Sequence, residues 1–154
     1  MGFVGRRRFD LWRVPMRRIS RAHPIRRIWA RLAVKRRVGL GYMLAPADPA
    51  RRHRTEQRLR SLARKHDVKL ARVVVIGPTM DRPLGRLLDA IGTLHAAATA
   101  QGRPKPAVLV ITPDLDHIDK HPAPICEVAD LLTARPERLW IRGRTHGQAV
   151  PVDL

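Results

Sequence analysis

At 154 residues the chain is long enough for one ordinary hydrophobic core and would crowd a second. With 4% aromatic residues, that core must be built from Leu, Ile, Val and Ala, which favours layered α/β or helical packing over a β-sandwich. The formal net charge of +18 is unevenly spread: residues 1–38 hold thirteen Arg or Lys against one acid, Asp10, which leaves about +6 for the other 116 residues.

A single cysteine, Cys126, excludes an intrachain disulfide and a cysteine-based zinc site, and it suits the reducing interior of a bacterial cell, the cytoplasm. No apolar run approaches the roughly 20 residues of a membrane span. Near the N-terminus arginines interrupt every apolar cluster, so no secretory h-region is expected.

The basic arm, residues 1–38, divides at Pro15 and Pro24. Its first part sets Phe9 and Trp12 among Arg6, Arg7, Arg8 and Arg13 without a period, and Arg17 and Arg18 continue the charge. After Pro24, Ile25, Ile28, Trp29 and Leu32 fall at i, i+3, i+4 and i+7, which predicts an amphipathic helix with Arg26, Arg27 and Arg31 outside the apolar stripe. These nine arginines are candidate nucleic-acid ligands. Clustered guanidinium groups release counterions from DNA or RNA, and Phe9, Trp12 and Trp29 offer stacking surfaces. The competing readings are a helix that packs its stripe on the neighbouring domain and a helix lying on an anionic membrane surface.

From Gly39 a βα rhythm begins. The pattern predicts a strand over 40–44, a Pro/Ala/Asp turn over 45–49 and a helix over 51–66 with Leu59, Leu62 and Ala63 inward. A β-branched strand over 68–76 ends at Gly77-Pro78, and Leu84, Leu87, Leu88, Ile91, Leu94 and Ala98 then hold one helical face until Gly102. A strand over 107–112 empties into a polar loop. Pro124 next opens a helix with Ile125, Val128, Ala129 and Leu132 inward, and a last strand spans 138–142. Alternation of this kind predicts a small three-layer α/β sandwich over 39–143, with a mostly parallel four-stranded sheet, helices on both faces and a flexible tail over 144–154.

In this order the core resembles the catalytic domain of the serine recombinases, the resolvase and invertase family. Three anchors carry the resemblance: Gly41-Tyr42-Met43-Leu44 as a tyrosine-led first strand, Arg82-Pro83 with Leu87-Leu88 and Ile91 as a helix start, and residues 114–120, DLDHIDK, where the family has an Asp-Arg-Leu-x-Arg signature. The resemblance implies a resolvase-like fold and a DNA-recombination ancestry. It also implies a vestigial site at Leu44, Pro46, Arg82, Asp116, His117 and Lys120. The family's nucleophilic serine corresponds to Pro46, or to Ala45 if the turn slips by one, and its clamping arginines correspond to Leu44, His117 and Lys120. Only Arg82 and Asp116 match. The family's dimer helix and helix-turn-helix module have no counterpart in residues 144–154. A pseudoenzyme without catalytic residues or cofactor is therefore expected, binding nucleic acid without sequence preference through its arm.

Two other functions compete with that expectation. One is a protein-interaction module with no nucleic-acid partner. The other is a metal-dependent phosphoryl hydrolase using Asp114 and Asp116, with His117, Asp119 and His121 nearby; a polar loop capping the next helix explains the same residues without a metal, so no metal is assigned. The Gly-rich stretch 77–86 lacks the Gly-Lys-Ser/Thr ending of a phosphate loop. Cys126 reads as a small core residue and His95 as a partly buried structural histidine, and His53, His66 and His146 have no evident partner in the sequence.

Overall fold

The computed structural model describes residues 37–143 and, as backbone, 152–153. The arginines proposed as nucleic-acid ligands, Arg6 to Arg31, lie outside the described residues, as does the predicted amphipathic helix. The described chain opens with strand β1, Arg37–Leu44, two residues inside the segment assigned to the arm. Helix α1, Pro49–Lys65, follows. Its start is specified locally, because the Asp48 side chain accepts the Ala50 N–H at 2.9 Å and Pro49 occupies the first turn, where no N–H is needed. Leu59, Leu62 and Ala63 are its buried face, as their spacing predicts.

Strand β2, Lys69–Ile76, leads to helix α2, Pro83–Ala100, which buries Leu87, Ala90, Ile91 and Ala98. Gly102 terminates it at φ +63°, a left-handed conformation that glycine adopts without a Cβ penalty. Strand β3 is Ala107–Thr112, matching its predicted bounds, and a 3-10 turn, Leu115–Ile118, follows it.

The next segment departs from the sequence reading. Instead of a covering helix, the chain makes one turn, α3, Ala123–Cys126, and then a strand, β4, Asp130–Ala134. Ile125, Val128, Ala129 and Leu132 satisfy the helical spacing by coincidence. Leu131 and Leu132 are both fully buried, on opposite faces of the sheet, as adjacent residues of an interior strand are. Val128, assigned inward, is exposed. Strand β5, Glu137–Trp140, pairs antiparallel with β4, and a two-residue strand, β6, Val152–Asp153, pairs with β5. The sheet thus has five strands between Arg37 and Trp140 where four are expected, and β6 adds a sixth within the predicted tail.

The sheet order is β2-β1-β3-β4-β5-β6, parallel from β2 to β4 and antiparallel beyond. α1 packs on one face, over Met43, Leu109, Ile111 and Leu132; α2, the 3-10 turn and α3 pack on the other, over Leu40, Tyr42, Val110 and Leu131. The result is the three-layer α/β arrangement with helices on both faces. β1 lies tight against β2, since a Cβ at Gly41 would meet Val73 Cγ2 at 2.9 Å. No helix among the described residues is long and apolar enough to cross a membrane.

Candidate functional site

Strand order decides where the site lies. From β1 the chain passes through α1 to β2 on one side, then through α2 to β3 on the other, so the direction of winding reverses between β1 and β3. At such a reversal the two connections diverge to opposite faces and leave a crevice at the carboxyl ends of the strands. Here that crevice is a cleft of about 510 Å³. Its floor is Met43 and Leu44 at the end of β1, Pro46 beyond it and Pro113 after β3, and its rim carries Asp114 and His117.

The opposing wall is cationic. Arg51, Arg54 and Arg58 line the cleft from α1, and Arg135 reaches it from the turn between β4 and β5. Positions i, i+3 and i+7 share one helical face, so α1 presents three guanidinium groups in a row. Arg54 lies 3.8 Å from Asp48, an exposed and therefore weak pair. Arg51, Arg58 and Arg135 have no carboxylate within 4 Å among the described residues. Four arginines against one acid leave the lining of the cleft with a net positive charge.

His117 is held in a defined state. The main-chain N–H of Leu44 donates to its Nδ1 at 2.9 Å, so Nδ1 is the acceptor and the proton of the neutral ring sits on Nε2. Burial lowers the His117 pKa from its ordinary value, outweighing the opposite pull of Asp114 and Asp116. Nε2 lies 3.8 Å from Asp114 Oδ1. Asp114 in turn caps the 3-10 turn, its Oδ1 accepting the Asp116 N–H at 3.1 Å.

Of the predicted vestigial positions, Leu44, Pro46 and His117 come together in the cleft. Arg82, Asp116 and Lys120 do not line it. Arg82 is an exposed residue at the start of α2, held at φ 53°, and Asp116 and Lys120 form an exposed pair 3.7 Å apart in the solvent. Asp119 and His121 are exposed on the same loop, and among the described residues no group of three His, Cys, Asp or Glu is placed to hold a metal ion.

The arginines of the cleft were not legible as a site in the sequence. Arg51, Arg54 and Arg58 belong to a helix read only for its inward leucines, and their spacing was the available signal. Arg135 had none, because it reaches the cleft through β4, a strand read as helix.

No family model, curated protein or solved structure matches this chain.

The chemistry open to the cleft follows from its own residues. Guanidinium groups grip phosphate or carboxylate oxygens through two parallel N–H bonds. Thr55 carries the only hydroxyl among the lining residues, and its Oγ1 donates to the Arg51 carbonyl at 3.0 Å. The one imidazole in the cleft has its acceptor nitrogen occupied by Leu44 N–H, so it is not free to take a proton from that hydroxyl.

Proposed function

We propose that this chain is a catalytically inactive, serine-recombinase-like protein that binds nucleic acid through its phosphates, using the cleft between β1 and β3 together with the basic arm. One observation carries the reading: four arginines converge on a concave site at the winding reversal of a parallel sheet, three of them without a carboxylate partner among the described residues. Such a surface attracts a polyanion without reading its bases. The inactive half of the reading rests on Pro46 and Ala45, where the resemblance puts the nucleophile, and on the engaged state of Thr55 and His117.

The test is the salt dependence of binding. Full-length protein is titrated with a labelled duplex and a labelled single strand from 50 to 300 mM salt. It is compared with a variant carrying Arg51→Gln, Arg54→Gln, Arg58→Gln and Arg135→Gln, and with a control that neutralises Arg72, Arg86, Arg103 and Lys105. The cleft variant is expected to lower the slope of log K against log salt by about 2 to 4, as that many phosphate contacts would require, and the control by less than 1. Equal slopes for both variants would assign the binding to the arm alone, and no binding by the intact chain would leave a protein partner as the better account.

A further inference from the structure

The cleft contains one feature that a pure phosphate site does not need. Asp114 puts a carboxylate on the rim of an arginine-lined wall, where it repels the anion the arginines attract. Capping explains only half of it: Oδ1 accepts the Asp116 N–H, and Oδ2 has no hydrogen-bond partner among the described residues. The Asp114 side chain is 35% exposed, so Oδ2 is open to accept from a ligand that brings a donor. Phosphodiester oxygens bring none.

His117 supplies the complementary group. Because Leu44 N–H occupies Nδ1, the neutral ring presents Nε2–H as a fixed donor, 3.8 Å from Asp114 Oδ1. A fixed donor beside a free acceptor matches a group that donates and accepts through one atom, which is a hydroxyl. Next to a phosphate-gripping wall, the hydroxyl that distinguishes one nucleic acid from the other is the ribose 2′-OH. The cleft volume of about 510 Å³ falls within the range of small-molecule sites, so it has room for one splayed nucleotide.

We propose that Asp114 and His117 read a ribose 2′-hydroxyl, so that the cleft takes single-stranded RNA in preference to DNA. The inference rests on the reading of the cleft as a nucleic-acid site. Asp114 accepts the hydroxyl proton through Oδ2, His117 Nε2–H donates to the hydroxyl oxygen, and the arginines hold the adjoining phosphates.

The experiment compares three labelled single strands of one sequence on the full chain at fixed salt: RNA, DNA with deoxyuridine in place of thymidine, and 2′-O-methyl RNA, which keeps the oxygen and loses the donor. RNA is expected to bind about tenfold tighter than either of the others, the scale of one hydrogen bond to a charged acceptor. Asp114→Asn keeps an oxygen to cap Asp116 while turning the free acceptor into a donor. It should bring RNA and DNA to one common affinity, with DNA held tighter than by the native chain because one repelling charge is gone. Equal binding of all three strands, or an RNA preference that survives Asp114→Asn, would overturn the proposal while the four-arginine variant still weakens binding. If that variant has no effect on any strand, the reading of the cleft itself fails, and this inference with it.

Discussion

The main-chain N–H of Leu44, the last residue of β1, donates to Nδ1 of His117 in the turn after β3, joining residues 73 positions apart in the chain at 2.9 Å. The bond ties together the two strand ends that bound the cleft. It also sets the ring tautomer, so one contact serves both the floor and the rim of the site.

A pH dependence follows from it. Protonating His117 would end the bond by placing a proton on Nδ1, and burial lowers the folded pKa below the ordinary 6.5. The unfolded chain therefore takes up the proton first as pH falls. This contribution is constant above pH 6.5 and is lost between 6.5 and the folded pKa, by at most about 1.4 kcal/mol per pH unit. Urea midpoints of the native chain and of His117→Gln, measured from pH 8 to pH 5, should show a shallower loss in the variant. Parallel curves would mean that His117 does not couple folding to protons.

Tyr42 is fully buried, and its hydroxyl has no partner among the described residues. Burial, helped by Asp119, pushes its pKa up to about 12, so the hydroxyl stays neutral at any working pH. An unpaired buried hydroxyl costs stability, so Tyr42→Phe should be neutral or stabilise by up to about 1 kcal/mol in urea unfolding. A loss larger than 1 kcal/mol would reveal a partner for that oxygen.

The contact of β1 with β2 depends on a missing side chain. A Cβ at Gly41 would come within 2.9 Å of Val73 Cγ2 and 3.4 Å of Val73 Cα, and valine cannot swing aside freely. Gly41→Ala should cost about 1 to 3 kcal/mol, and adding Val73→Ala should offset part of that loss, a coupling measurable in a double-mutant cycle. Strict additivity would place the strain elsewhere.

Cys126 is fully buried on α3, and its thiol is pushed up to about 11, first by burial and then by Asp130. Since the thiolate is the reactive species, a disulfide reagent at pH 8 should label the native chain at the rate of its opening and label the urea-unfolded chain at once. Fast native labelling would sink the assignment of Cys126 to the core.

The sequence by itself determines what local period can carry. α1 and α2 lie where their spacing puts them because the apolar face of each meets one layer, β3 because its short apolar run is bounded by Pro106 and Pro113, and the charge balance and the lack of a hydroxyl at residues 45 and 46 need no coordinates. What local period cannot express was decided by tertiary structure. β4 was mistaken for helix because a strand buried on both faces loses its alternation, and its apolar run is then as compatible with a 3.6-residue period as with a 2-residue one. The cleft depends on that same strand and on the sheet order. Arg51, Arg54 and Arg58 become a wall only when α1 packs over β1 and β3, and Arg135 joins them only from the end of β4. Convergence of charges from two segments so far apart in the chain depends on strand pairing at long range, and no window of neighbouring residues contains it.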